Sequence, residues 1–260
     1  MSTTVLEGVR LAYSVEGAGE PVLMIQGLGY GRRGWGPAPV MLAQRFQVVT
    51  FDNRGFGESD APPGPYTTAA LAGDALAVLD AAEIDRAHVV GISLGGMVAQ
   101  ELALAQSERV RKLVLCSTTA GGPTAVPMPE QTVALMGRAS HLDPHDALHQ
   151  FVVNALSADP PAELVEEIVA YRAANPPDPA GWWAQAGAGA AHDAMARLGE
   201  IRVPTLVVHG TVDNVVDVGN ARLLADAISG ARLELFEGVG HLLPWERPKE
   251  FTALVEGFLQ

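Results

Sequence analysis

The stretch that most limits what this chain can fold into is Ala87-His88-Val89-Val90-Gly91-Ile92-Ser93-Leu94-Gly95-Gly96. It reads as a short apolar strand, a turn centred on Ser93, and a helix from Met97 to about Gln106. Such a turn is so sharp that the positions two before and two after the serine must lack bulk, and Gly91 and Gly95 occupy them. Ser93 is therefore expected in a strained conformation, its hydroxyl pushed out over the end of a sheet. The helix behind it would aim free N–H groups and partial positive charge at any oxyanion formed there. The five-residue pattern alone is common by chance, and as a plain glycine turn it would leave only a surface serine. Its place between strand and helix is what points to a nucleophile.

The flanking pattern predicts a parallel sheet. Leu6 to Glu16 alternates and closes at Gly17-Ala18-Gly19, as one or two edge strands do. Val22-Leu23-Met24-Ile25 and Gln47-Val48-Val49-Thr50-Phe51 are continuous apolar runs of the kind buried on both faces of a parallel sheet. A helix is expected over Trp35–Gln44, interrupted early by Pro37 and Pro39. Another is expected over Thr67–Ala82, where Leu71, Ala75, Val78, Leu79 and Ala82 share a face and Thr67 or Thr68 can cap the start. A strand at Val110–Cys116 follows the Ser93 helix. Strand and helix thus alternate, as in a sheet with helices on both faces.

After Gly121-Gly122-Pro123 the character changes to Ala-rich helical segments punctuated by proline. No strand-like run returns until Thr205. Residues 121–195 are read as a helical cap insertion, and 1–120 with 196–260 as the core. Val203 to Gly210, a helix near Asn220–Ile228, a strand at Arg232–Phe236 and a helix at Pro248–Phe258 complete the chain.

A chain of 260 residues has room for one large α/β domain. Its 30 acidic against 17 basic residues, with no basic cluster, argue against nucleic acid and anionic membranes as partners. Met1 to Tyr13 lacks a signal pattern and no apolar run reaches membrane-spanning length, so a cytoplasmic protein is expected. The single cysteine, Cys116, is expected to be a buried strand thiol.

Three residues fall just past buried strands, where open α/β sheets place ligands: Ser93, Asp213 and His241. Their types suit one chemistry. A serine hydroxyl needs a nearby base, imidazole titrates near working pH, and a carboxylate can hold the imidazole in the required tautomer. Together with Gln26-Gly27-Leu28-Gly29, Asp52-Asn53-Arg54-Gly55-Phe56-Gly57-Glu58-Ser59, Gly91-Ile92-Ser93-Leu94-Gly95-Gly96, Gly210-Thr211-Val212-Asp213 and Gly240-His241, they carry a resemblance over nearly the whole chain. The sequence resembles the α/β-hydrolase superfamily, of the serine esterase and lactonase type. That resemblance implies an α/β-hydrolase fold, with a mostly parallel central sheet, helices on both faces and a helical cap inserted after the sixth strand. It also implies a Ser93–His241–Asp213 triad, with oxyanion donors at the backbone N–H groups of Leu28 and Leu94 and no cofactor or metal. Gln26 stands where relatives commonly have histidine, and its amide could orient the loop. Asp217 is a rival acid, better read as a helix N-cap because relatives usually have proline there.

Other candidates have plainer readings. Asp52 and Arg54 look catalytic but fit a turn that braces the oxyanion loop. His145 and His149 have helical metal-pair spacing, yet no acidic ligand follows, and surface positions are favoured. Met128, Leu135, Met136, Leu148, Phe151, Trp182 and Trp183 give the insertion more apolar bulk than a solvated linker needs. Gln26, Gly27, Met128, Met136, Trp182 and Trp183 are the residues expected to bind substrate.

Serine at the nucleophile position disfavours the halide- and epoxide-processing relatives, which carry aspartate there. The leading expectation is hydrolysis of a small ester or lactone, with short to medium uncharged acyl groups preferred. The pattern is nearest to esterases, 3-oxoadipate enol-lactonases and cofactor-free haloperoxidases (perhydrolases). A substrate carboxylate would want a cation, for which Arg32, Arg33, Arg138 and Arg172 are available. A triad-bearing small-molecule receptor of the same fold is the alternative from another class.

Overall fold

The computed structural model describes residues 2–260; Met1, the first residue of the N-terminal segment considered above, lies outside them. Eight strands form one sheet in the order β1-β2-β4-β3-β5-β6-β7-β8. They are β1 (Ser2–Leu6), β2 (Val9–Glu16), β3 (Pro21–Ile25), β4 (Gln47–Phe51), β5 (Ala87–Ile92), β6 (Val110–Cys116), β7 (Thr205–Gly210) and β8 (Arg232–Phe236). β1 and β2 form an antiparallel edge, and every pairing from β4 to β8 is parallel.

The apolar strand runs are divided residue by residue between two cores, as strand pleating requires. Leu23, Ile25, Val49 and Val89 pack on α2 (Thr68–Ala81) and α3 (Leu94–Ala105), against Leu71, Val78, Leu79, Val98 and Leu102. Val22, Met24, Val48, Val90 and Ile92 face the other way, toward Trp35, Leu42, Phe251 and Val255. Those partners come from α1 (Ala38–Leu42), the turn before it, and the C-terminal helix Pro248–Leu259. Each such side chain is worth about 1.5–3 kcal/mol when fully buried. A surface strand would alternate apolar with polar residues, which is why the runs are continuous here.

Most predicted elements are present with shifted ends. Thr67 caps α2, its hydroxyl accepting from the Ala70 N–H at 3.0 Å. The helix expected over Trp35–Gln44 shrinks to the five residues of α1. Gly36 has φ +59°, and Pro37 and Pro39 have no N–H to donate, so the segment before it turns and buries Trp35 instead. α3 begins at Leu94 rather than Met97, directly after Ser93.

Between β6 and β7 lie four helices: α4 (Glu130–Ala139), α5 (Pro144–Asn154), α6 (Ala162–Ala174) and α7 (Pro179–Ala190). Asp143 and Asp178 cap α5 and α7, each followed by a proline that needs no partner for its nitrogen. An antiparallel bridge between Gly121 and Asp193 ties the two ends of this insertion together. A third core of Val152, Leu156, Val165, Ile168 and Val169 packs with Tyr30, Leu242 and Trp245 of the sheet's loops. Among the described residues no helix is long and apolar enough to cross a membrane.

Cys116 ends β6 with no exposed surface, and burial pushes its thiol up to about 12. A chromogenic disulfide reagent at mildly alkaline pH should leave the native protein unmodified and titrate one thiol after unfolding in denaturant. Fast modification of the native chain would show that this part of the core opens readily.

Candidate active site

β3 and β5 are neighbours in the sheet but not in sequence, and Ile25 is in register with Gly91. From this pair the chain builds outward in opposite directions, which leaves a crevice at the strands' C-terminal ends. Gln26, Gly27 and Leu28 leave β3 there, and Ser93 leaves β5. Ser93 has φ 56° and ψ −122°, a conformation costly for a residue with a side chain. Its N–H donates to the Cys116 carbonyl at 3.0 Å, and its carbonyl accepts the Thr118 hydroxyl at 2.7 Å. A Cβ on Gly95 would lie 2.0 Å from the Ile25 carbonyl oxygen, and one on Gly91 2.3 Å from that of Gly95. Only glycine fits either position, so the turn is held by backbone packed on backbone.

Leu94 is the first residue of α3, and its N–H has no preceding turn to bond to. The Gln26 side chain is buried, and its amide oxygen accepts from the Gly27 N–H at 2.6 Å. The Asn53 amide donates to the Gln26 carbonyl at 2.9 Å. Asp52 accepts from the N–H of Arg32 at 2.7 Å and of Glu58 at 3.1 Å, and pairs with the Arg32 guanidinium, which also reaches Glu58. Arg54 makes two 2.6 Å bonds to the buried Asp74. The Asp52 turn therefore braces the loop after β3. Arg54 reaches past the turn instead, because the buried Asp74 of α2 needs its charge compensated.

His241 Nδ1 lies 2.7 Å from Asp213 Oδ2. The backbone N–H of His241 donates to the Ala155 carbonyl of the insertion at 2.8 Å. Asp213 Oδ1 accepts from the N–H groups of Val215 and Val216 at 2.8 and 2.9 Å, and a second imidazole, His209, stands 3.0 Å from Oδ2. Burial alone would push the Asp213 carboxyl up. The charge of His241 and the hydrogen bonds from His209 and His241 outweigh it and hold the carboxyl well below the usual range. Asp217 does something else: its Oδ1 accepts from the Gly219 N–H at 2.7 Å, at the start of α8 (Gly219–Ala227).

Ser93 and His241 line one cavity of about 900 Å³, together with Leu28 and Leu94. That is near the upper end for small-molecule sites. Gln26, Gly27, Met128, Met136, Trp182 and Trp183 all line it, as do Leu148 and Phe151. Leu135 is instead buried away from it. Trp183, 69% exposed, stands edge-on to Trp182 with ring centroids 4.9 Å apart.

Of the arginines considered, Arg32 is engaged with Asp52 and Glu58, and Arg33 and Arg138 are exposed. Among the described residues, Arg172 of α6 is the one arginine or lysine lining the cavity, with its guanidinium 4.7 Å from the Tyr30 ring centroid. His145 is exposed, and His149 lies 4.0 Å from Glu166 rather than in a metal pair.

A family model for the alpha/beta hydrolase fold matches residues 20–248. The chain belongs to the α/β-hydrolase family. A 2-hydroxy-6-oxononadienedioate/2-hydroxy-6-oxononatrienedioate hydrolase of Cupriavidus pinatubonensis is 34% identical, over 96% of this hydrolase and 90% of that one. The solved enol-lactonase from Burkholderia xenovorans LB400 is 30% identical with a TM-score of 0.85, covering 99% of both chains. A solved N-acyl homoserine lactone degrading enzyme is 33% identical with a TM-score of 0.85, over 99% of this chain and 100% of that one.

Sequence reasoning missed His209, Asp74 and Glu246. Glu246 accepts from the N–H groups of Gly240 and Ser157, each at 2.8 Å, and so joins the His241 loop to the insertion. The only sequence signal for Asp74 was a charge on the apolar face of a predicted helix.

The two aspartates should respond differently to amidation. Asp213→Asn is expected to lower kcat by about 10⁴-fold, as loss of the correct imidazole tautomer does in serine proteases. Asp217→Asn should cost at most about 1 kcal/mol of stability, with kcat unchanged. Steady-state kinetics beside urea unfolding would separate them, and the reverse ordering would assign the acid to Asp217.

Proposed function

We propose that this hydrolase cleaves a carboxylic ester or lactone through a Ser93–His241–Asp213 triad and an acyl-enzyme intermediate. The observation that carries the reading is a strained Ser93 in the same cavity as a His241 whose Nδ1 is bonded to a buried, anionic Asp213. Ser93 Oγ attacks the substrate carbonyl carbon while His241 Nε2 takes its proton. Asp213 keeps the proton on Nδ1 and stabilises the imidazolium. The tetrahedral oxyanion is met by the N–H groups of Leu28 and Leu94. Collapse breaks the carbon–oxygen bond, and His241 returns its proton to the alcohol oxygen. In a lactone that alcohol stays tethered to the acyl group. A water then attacks the acyl-enzyme, with His241 again as base, and frees the acid and Ser93.

The insertion acts as a lid in this reading: Met128, Met136, Trp182 and Trp183 give the acyl and alcohol groups an apolar surround. Arg172 changes the expected substrate preference. An arginine lining a largely apolar cavity favours a carboxylate on the substrate, so acid-bearing lactones or esters become better candidates than sequence alone suggested. The similarity to the two lactone-cleaving enzymes supports lactones.

The same arginine favours a second reading. The dienedioate named for the Cupriavidus relative holds carboxylates and a ketone but no ester, so its hydrolysis must break a carbon–carbon bond. Parallel assays with p-nitrophenyl esters, a carboxylate-bearing enol-lactone and a 2-hydroxy-6-oxo-dienoate would distinguish the two chemistries. Conversion of the dienoate alone would replace the ester reading.

A fluorophosphonate should label Ser93 and nothing else, and labelling that survives in Ser93→Ala would remove Ser93 from the role. Arg172→Gln should raise KM for the carboxylate-bearing substrate about tenfold or more, from the loss of a charge-assisted hydrogen bond. Hydrolysis of a neutral p-nitrophenyl ester should barely change. Equal effects on both substrates would deny Arg172 a part in recognising charge.

A further inference from the structure

His209 sits near the end of β7, one residue before Gly210, with its ring wholly buried. It does not line the cavity. Its Nε2 is 2.9 Å from the carbonyl oxygen of Val216 and 3.0 Å from Asp213 Oδ2. Both neighbours only accept, so this nitrogen carries the ring proton; it hydrogen-bonds the Val216 carbonyl, with Asp213 Oδ2 as a second acceptor 3.0 Å away. Nδ1 is buried with no partner among the described residues, so a second proton there would have nothing to donate to. Oδ2 is also the atom that accepts from His241 Nδ1 at 2.7 Å.

One carboxylate oxygen therefore serves two imidazoles. The other, Oδ1, is held by the N–H groups of Val215 and Val216. Val216 is thus gripped twice, through its N–H by Asp213 and through its carbonyl by His209. A carboxylate on a single Cβ can rotate about its last bond, and these donors fix that rotation. Without His209, Oδ2 would depend on His241 alone, and the Val216 carbonyl would lose its hydrogen-bond donor.

We infer that His209 is a positioning residue for the proposed triad: its Nε2–H locks Asp213 Oδ2 and the Val216 carbonyl together, and so sets the direction in which Asp213 accepts the hydrogen bond from His241. The inference rests on reading Ser93, His241 and Asp213 as the reacting set. It assigns His209 no contact with substrate, and its loss should therefore lower kcat far more than it changes KM.

The test uses side chains of graded reach. The amide nitrogen of Gln lies about where imidazole Nε2 lies, whereas that of Asn stops near the Nδ1 position. Kinetics of His209→Gln and His209→Asn would be measured on whichever ester or lactone the unmodified protein turns over, with thermal unfolding to confirm folding. His209→Gln should keep kcat within a few-fold. His209→Asn should lose about tenfold or more, as expected for one hydrogen bond to a charged group, with KM nearly unchanged. Proton NMR supplies a readout independent of turnover. The low-field resonance of the His241 Nδ1–H, assigned by its absence in His241→Gln, should persist in His209→Gln and move or vanish in His209→Asn. If the Asn variant does not fold, His209→Phe fills the space without a donor and carries the same expectation. Full kcat with an unmoved resonance in a folded donor-less variant would overturn the inference, as would a Gln variant as impaired as Asn. The triad reading fails by a different result, namely full activity in Ser93→Ala or Asp213→Asn.

Discussion

The whole site depends on how closely the first turn of α3 lies against the end of β3. A methyl group on Gly95 would sit 2.0 Å from the Ile25 carbonyl oxygen, so the two backbones meet where no side chain can intervene. This contact places the Ser93 turn beside the loop that carries Gln26, Gly27 and Leu28. A Cβ on Gly27 would be 3.0 Å from that of Ser93 and 3.5 Å from its Oγ. The N–H groups proposed to receive an oxyanion therefore come from two segments that are distant in sequence. What preorganises them is sheet geometry, which pays its conformational cost during folding rather than at each turnover.

Most charge near the site is kept behind the cavity rather than in it. Arg32 with Asp52 and Glu58, and Arg54 with Asp74, flank the loop after β3 and stiffen it from outside. Arg32–Asp52 and Arg54–Asp74 are buried pairs in which either partner alone would be strongly destabilising, by about 3–5 kcal/mol. Asp213 follows the same logic with hydrogen-bond donors: two backbone N–H groups and two imidazoles surround a carboxylate with almost no access to water. The cavity wall is left largely apolar, apart from Arg172 and a few amides and hydroxyls, and a weakly solvated wall strengthens any charge interaction made across it.

The helical insertion is also bonded to the loop that carries His241. Its α5–α6 turn receives the His241 N–H at the Ala155 carbonyl, and Glu246 joins the Ser157 and Gly240 amides across the same junction. Leu242 and Trp245 pack into the insertion's own core. The base proposed here is therefore positioned jointly by the sheet, through Asp213, and by the insertion. Movement of the insertion and the placement of His241 are coupled by these bonds.

Much of this was legible in the chain. Continuous apolar runs marked the strands of a sheet buried on both faces, and the glycines around Ser93 marked a turn where backbone touches backbone. Both are local: burial selects the apolar residues and a sharp turn selects glycine whatever lies elsewhere. The insertion's apolar excess was visible too, and Met128, Met136, Trp182 and Trp183 from it line the cavity whereas Leu135 does not. What the chain could not declare were the partners brought from far away. Arg54 gave no sign that it meets Asp74, nor Arg32 that it is spent on Asp52 and Glu58 while Arg172 alone reaches the cavity. His209, inside an apolar strand, gave no hint that its ring turns toward Asp213. A charged or polar side chain is written into the sequence as a type. Its partner is decided only when strands and helices pack, because burial then forces each such group to find whatever opposite charge or acceptor the fold has placed within reach.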